Sequence, residues 1–263
     1  MSDVDVIVLD VDGGDMLREC IASIRAQTLA PRRVIVFDNG SRQPSHVHGV
    51  QIMRSETNIG FAAGVNAAYS ATTSDSIALI NNDVVLDRDW IATVKAALDG
   101  EPKIAAAQTV IRRDAATIDG AGIDVSDGTI RQIGHGQPIG APLPTAWGVS
   151  ATAAVYRRQA LGGRVFDPRF FAYYEDVELS ARLREAGWRL VVIPEAKATH
   201  RGSASASILG RDAVRLRTRN RYLVARMHRG AGRIGALLRE DLKLLLRGRT
   251  SVRGIFEGLC SPL

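Results

Sequence analysis

Residues 76–90 read SIALINNDVVLDRDW. Ile77, Leu79 and Ile80 form the short apolar run expected of a strand buried on both faces. The run stops abruptly at Asn81-Asn82-Asp83. In open α/β sheets, ligands bind at the carboxyl ends of the strands, and this cluster falls at such an end. Asp83 is a hard oxygen donor, suited to Mg²⁺ or Mn²⁺ carried in on a phosphate-bearing substrate. The plainer reading is a polar turn before a helix opened by Asp87, running to about Leu98.

The flanking chain repeats the pattern. Val4 to Leu9 reads as a first strand, closed by the turn Asp10-Val11-Asp12-Gly13-Gly14. Asp15 reads as the N-cap of a helix with Leu17, Ile21 and Ile24 on one face. Val34 to Phe37 reads as a second strand, closed by Asp38-Asn39-Gly40-Ser41, and the β-α-β order implies a right-handed parallel crossover. Val50 to Met53 follows as a short third strand. Asn58-Ile59-Gly60-Phe61 then leads into an Ala-rich helix to about Ala71. Three strands thus end in Asp or Asn, and in a parallel sheet those ends share one edge. Their convergence points to a binding site. Two familiar phosphate sites are excluded: the chain has no G-x-x-x-x-G-K-[ST] loop, and no G-x-G-x-x-G follows the first strand.

The second half changes character. Short apolar runs over 104–133 alternate with Gly and Asp and read as antiparallel strands and hairpins. Residues 134–148 are rich in Gly and Pro and read as a long loop. Ala151 to Tyr156 reads as a strand. Glu175 to Ala186 reads as a helix packing Val177, Leu179 and Leu183 inward, with Gly187 as C-cap. Arg189 to Ile193 reads as a strand stopped by Pro194.

The 263 residues are 46% hydrophobic and 24% charged, an ordinary globular composition. Cys20 and Cys260 have no metal or redox spacing, which argues for a reducing compartment. The opening MSDVDVIVLD runs directly into a strand and does not read as a signal peptide. No apolar stretch approaches the roughly 18 residues of a membrane span. Charge is uneven: residues 201–263 carry 14 Lys+Arg against 4 Asp+Glu, net +10, while residues 1–200 are net −4. Within that tail, Arg211 to Arg229 interleave with Leu216, Tyr222, Leu223 and Met227. Farther on, Ile234, Leu237, Leu238, Leu242 and Leu245 share one helical face, and Arg233, Arg239, Lys243 and Arg247 lie mainly off it. This basic amphipathic pattern suits an anionic membrane surface; equally, the stripe could pack on the body of the protein. No nucleic-acid-binding module is visible.

Together, VIVFDNGS, ETNIGFAAGVNAAY, IALINNDVVLDRDW, FFAYYEDVELSARLREAGWRLVVIPEAKATHRGSAS and RNRYLV resemble, in order and spacing, the family-2 glycosyltransferases of GT-A fold, and among them the bacterial rhamnosyltransferase type. The resemblance implies an α/β fold with a Rossmann-like, mostly parallel sheet. A catalytic domain would occupy 1–210, with a nucleotide-sugar half (1–100) and an acceptor half (101–210), followed by a basic helical extension over 211–263. It implies a UDP- or dTDP-linked sugar donor, Mg²⁺ or Mn²⁺, inversion at the anomeric carbon, and a cell-surface glycan or lipid-linked acceptor. The protein would then be cytoplasmic, on the inner face of the cell membrane if the tail binds lipid. By motif position, Asp83 and His200 are the metal ligands. Asp38 meets the N3–H of a pyrimidine. Asn58 and Gly60 lie near ribose and diphosphate. Asn81 and Asn82 stand with Asp83 in the metal motif. Asp176 is the base, with Glu175 steadying it or meeting the acceptor. A surface-loop histidine, a turn cap at Asp38, a helix cap at Asn58 and acids that favour a helix dipole are the plainer readings of the same residues.

One departure stands out. The family's Thr-Tyr-Asn or Asn-Trp-Asn after the first strand is Asp10-Val11-Asp12 here. An aromatic beside the nucleobase is gone and negative charge is added near a diphosphate. That leaves the donor open and keeps a second reading alive: a relative that binds sugar nucleotide or a partner without turnover. A sugar-phosphate nucleotidyltransferase is disfavoured, because the first-strand loop is acidic rather than basic.

Overall fold

The computed structural model describes residues 3–202 and 204–263, without the side chains of 204–208 and Arg211. Met1, Ser2 and Ser203, and the charge of Arg211, therefore lie outside the described residues.

One mixed sheet organises the chain. Strands β1 (Val4–Asp10), β2 (Arg33–Asn39), β3 (Gln51–Ser55) and β4 (Ser76–Asn81) are parallel and lie in the order β3-β2-β1-β4. The sheet continues through β10 (Ala153–Arg157), β6 (Ile104–Arg112) and β11 (Arg189–His200) to β5 (Val84–Leu86) at the far edge. β10 is antiparallel to both β4 and β6, so β6 and β11 again run with β4. This is the mostly parallel α/β sheet the first half implied.

Helices cover both faces, and the strand pleat divides the core accordingly. On β4, Ile77 and Leu79 join one apolar cluster with α2 (Phe61–Ser70), the short α4 (Arg158–Leu161) and α5 (Glu175–Glu185). Ala78 and Ile80 join the other, with α1 (Gly14–Arg25) and α3 (Trp90–Gly100). Alternation along a strand buried on both faces produces this two-sided core.

Several local expectations need correction. α1 is preceded by Gly13, which makes no side-chain cap, and Asp15 lies inside the first turn. After Asn81-Asn82-Asp83 the chain forms the short edge strand β5, and α3 begins at Trp90 rather than Asp87. The stretch 104–133 is only partly antiparallel. β6 pairs in parallel with β11, whereas β7 (Ile118–Gly120) and the hairpin of β8 (Ile123–Asp124) and β9 (Arg131–Gln132) are antiparallel.

Pro194 does not stop its strand. β11 continues to His200 across a register shift between Ile193 and Lys197. A proline, lacking an N–H, is tolerated at such a bulge, and a bulge redirects the remainder of its strand. At the far end of β11, His200 pairs with Val84 of β5, next to Asp83.

The basic C-terminal segment forms α6 (Ala204–Met227, broken at Gly210), α7 (Ile234–Leu245) and α8 (Val252–Cys260). Leu223 and Val224 of α6 enter the same core cluster as α5. α8 lies against α6 through Gly254 and Gly258. A Cβ on Gly258 would meet the Arg219 carbonyl oxygen at 2.4 Å. Gly235 in α7 has nothing within 4 Å of such an atom.

The two glycines should therefore respond oppositely to alanine. Gly235→Ala should stabilise the protein by up to about 1 kcal/mol through helix propensity. Gly258→Ala should destabilise it by about 1–3 kcal/mol through overpacking against a backbone that cannot yield. Thermal melts of both variants check this; a Gly258→Ala melt at or above wild type would show that the contact is not tight.

Candidate active site

A cavity of about 480 Å³ opens at the carboxyl ends of β1, β2 and β4. Asn39, Asn58, Asn81, Asp83, Asp119, Glu175, Asp176 and His200 are among the residues that line it.

Asp83 and His200 meet across the ends of β4 and β11. His200 Nε2 lies 3.1 Å from Asp83 Oδ2, and its Nδ1 lies 2.8 Å from Asp119 Oδ2. Burial works against the imidazolium, but hydrogen bonds to Asp119 and Asp83 outweigh it and raise His200 to about 9. Asp119 is correspondingly lowered, chiefly by its bond to His200. The Asp83 carboxylate is buried and its Oδ1 has no hydrogen-bond partner. A buried carboxylate oxygen without a partner is costly, and a cation would satisfy it. The residues present thus suit a hard divalent ion. Among the described residues no group of three or more His, Cys, Asp or Glu could hold one alone. Mg²⁺-type ions are commonly held by one or two carboxylates together with substrate phosphates, so a two-residue protein share is in keeping.

The acid pair opens α5. Tyr173 and Tyr174, immediately before it, both adopt the left-handed region, with φ of 70° and 68°. Such conformations are sparse for non-glycine residues and cluster where a chain must aim a functional group. Asp176 Oδ1 accepts from the Val177 N–H at 2.8 Å, and Oδ2 accepts a longer bond from the Ala151 N–H at 3.4 Å. Glu175 is buried, and its Oε2 has no partner. Burial, reinforced by the neighbouring Asp176, pushes Glu175 up to about 8. Burial also raises Asp176, but its bonds from Ala151, Ser150 and Val177 oppose the rise. The hydrogen bonding is unequal: Asp176 accepts from Val177 and Ala151, whereas Glu175 Oε2 has no partner.

The residues expected to bind donor fall into two groups. Asn58 and Asn81 face the cavity. Asn58 Oδ1 also accepts from the Gly60 N–H at 2.9 Å, fixing the turn into α2. Gly60 does not line the cavity; its φ is 93°, and a Cβ there would meet the Phe171 carbonyl oxygen at 2.6 Å. It permits the segment before the acid pair to cross α2.

Asp10, Asp12 and Asp38 are held instead by the loop after β2. Asp38 accepts from Ser41 N at 2.9 Å and Ser45 N at 3.0 Å and pairs with Arg54. Its burial is outweighed by these bonds, so its carboxyl lies below the usual range. Asp10 accepts from Ser45 Oγ and from Asn82 Nδ2, both at 2.6 Å. Asp12 accepts from Arg42 N at 2.9 Å and Arg42 Nε at 3.0 Å. Asp10 and Asp12 line a second hollow of about 320 Å³ with Arg42 and Ser45.

Other cavity residues carried a weaker signal in the sequence or none. Asn39 was marked as a polar strand end within VIVFDNGS, with no specific binding role. Asp119 lies in β7, where no local pattern marks it. Arg131, which pairs with Asp127 at 2.9 Å, and Arg217 also line the cavity. Arg217 stacks 4.3 Å from the centroid of the Tyr173 ring, and its place in the basic run hid it.

Comparison with known proteins places these parts in context. Residues 6–163 match the description Glycosyl transferase family 2. The protein y4gI of Sinorhizobium fredii is 27% identical over 77% of this chain, which spans only 25% of y4gI. The N-acetylglucosaminyl-diphospho-decaprenol L-rhamnosyltransferase of Mycobacterium tuberculosis is 25% identical over 81% of this chain and 80% of its own length. In fold, the chain is similar to the mannosyltransferase PcManGT from Pyrobaculum calidifontis, solved with GDP-Man and Mn²⁺. The TM-score is 0.60 at 17% identity, covering 96% of this chain and 77% of that one. The sheet is the GT-A arrangement, and the chain belongs to glycosyl transferase family 2.

Proposed function

We propose that the protein is an inverting glycosyltransferase that moves a sugar from a UDP- or dTDP-linked donor to a hydroxyl of a cell-surface glycan or lipid-linked acceptor. One observation carries the reading. A single cavity holds a buried carboxylate with an unpartnered oxygen, Asp83, beside an imidazole, and also a second carboxylate, Asp176, poised as a base.

Asp83 and His200 would hold Mg²⁺ or Mn²⁺. When bound, such an ion neutralises charge developing on the leaving diphosphate. Asn58 and Asn81 supply amides beside the same space, and Arg131 and Arg217 offer guanidinium donors suited to phosphate. Asp176 accepts the proton of the acceptor hydroxyl as its oxygen attacks the anomeric carbon and the bond to diphosphate breaks. Partial burial strengthens Asp176 as a base. Glu175, raised by burial and by Asp176, stands beside it. The two acids are adjacent on one helix start and so are not a facing pair of the glycosidase kind.

The relative's decaprenol-linked name supports a lipid-linked acceptor. So does the surface of α7 and α8. Leu242, Leu246 and Phe256 are 68%, 88% and 68% exposed, with Arg239, Lys243, Arg247 and Arg253 in the same segment. Leu237 alone of the α7 stripe is fully buried. Among the described residues no helix is long and apolar enough to cross a membrane. An apolar strip flanked by cations suits the plane of an anionic bilayer.

Two experiments test these assignments. Asp83→Asn should lose Mn²⁺-dependent binding of UDP or dTDP, measured by calorimetry. Asp176→Asn should bind normally and lose turnover by about 10²–10⁴-fold; near-normal turnover would remove it as base. Separately, Leu242→Glu with Phe256→Glu should weaken sedimentation with vesicles of phosphatidylcholine and phosphatidylglycerol, and equal sedimentation would rule out this face as the contact.

A further inference from the structure

The segment RNRYLV stands in the C-terminal helix, far in sequence from the acid pair, and the proposed chemistry gives it no role. Its Asn220 is fully buried. Asn220 Nδ2 donates to the carbonyl oxygens of Ala172 at 2.9 Å and Tyr173 at 2.8 Å. Its Oδ1 accepts from Arg219 Nη1 at 2.7 Å, and the same Arg219 nitrogen donates to the Arg169 carbonyl at 3.1 Å. With carbonyls on one side of the amide and a guanidinium on the other, only one orientation satisfies every group. One turn earlier on the same helix face, Arg217 stacks on the ring of Tyr173.

These contacts converge on the segment just before Glu175-Asp176, where two consecutive tyrosines are left-handed. From the other side, the Phe61 N–H of α2 donates to the Phe171 carbonyl at 2.6 Å. A strained backbone persists only where its surroundings over-determine it. Here α6 holds the carbonyls of 169, 172 and 173, and α2 holds that of 171.

The geometry points to Asn220 as a positioning residue: it clamps the left-handed Tyr173-Tyr174 turn and thereby aims and buries the acid pair from a helix outside the sheet. This rests on the reading of Glu175-Asp176 as the reacting acids. A change that moves the pair without touching the nucleotide site should lower turnover while sparing donor affinity, because misplacement of about 1 Å costs roughly 10²-fold.

The test compares wild type with Asn220→Asp, which keeps the shape but points an acceptor at two carbonyls, and with Asn220→Ser, smaller and still polar. A failure of the first to fold leaves the second to decide. Two readouts are taken on folded protein: turnover of the UDP- or dTDP-sugar the wild type uses, against calorimetric binding of the matching diphosphate with Mn²⁺; and the titration of Glu175 followed by carboxyl ¹³C shifts. The clamp predicts turnover down roughly 10²-fold with unchanged binding, and a Glu175 titration falling from about 8 toward the ordinary carboxylate range as the pair becomes solvated. Tyr173→Gly, which accepts φ of 70° freely, should restore that titration in the Asn220→Ser background. A purely structural asparagine would lower the melting temperature and leave both readouts of the folded protein at wild-type values, which would overturn the inference. If Asp176→Asn itself turned over normally, the underlying reading would fail, while the Glu175 titration would still judge the clamp.

Discussion

The contact on which the cavity depends is the His200 imidazole, held between Asp119 and Asp83. It joins the end of β11 to Asp83, just past the end of β4. Asp119 binds Nδ1 and so turns Nε2 toward Asp83, an arrangement that orders an imidazole for a metal or a charged ligand. The Pro194 bulge makes this possible. The register shift takes up three residues of β11 against β6, so that His200 pairs with Val84 beside Asp83 instead of running past it. The same run of chain then continues into α6, which reaches the turn before the acid pair.

The two ends of the cavity use opposite electrostatics. At Asp83 a buried oxygen lacks a partner and favours a cation. At Glu175-Asp176, burial raises both acids, and hydrogen bonds oppose the rise at Asp176. Charge-seeking and proton-seeking groups across one space match a reaction in which one product leaves as an anion and the other forms by loss of a proton.

Much of this was legible in the sequence because it is local. The apolar run at 77–80 and the polar strand ends required only period and position, and the structure gathers Asn39, Asn81 and Asp83 at one sheet edge as that pattern implied. The helix of Glu175-Asp176 likewise begins where it was expected. What escaped is tertiary. Asp119 is one acid among several in a Gly-rich stretch until β7 brings it to His200. Pro194 reads as a stop because a single sequence cannot show that the neighbouring strands tolerate a bulge. From sequence, Asp38 read as a base-binding acid and Asp10 and Asp12 as a departure from the family motif, yet Ser41, Arg42 and Ser45 engage all three from one loop. In the basic tail, charge dominated the pattern and obscured that Tyr222, Leu223 and Asn220 are buried.

The central claim is that this cavity receives a nucleoside diphosphate together with a divalent ion. The most direct measurement is calorimetric titration of the protein with UDP, dTDP, GDP and CMP, each with and without Mn²⁺. The account predicts tight binding of a pyrimidine nucleoside diphosphate that requires the ion. Absence of binding by all four, with the protein folded, would contradict it and favour a family member that has kept the fold without the reaction.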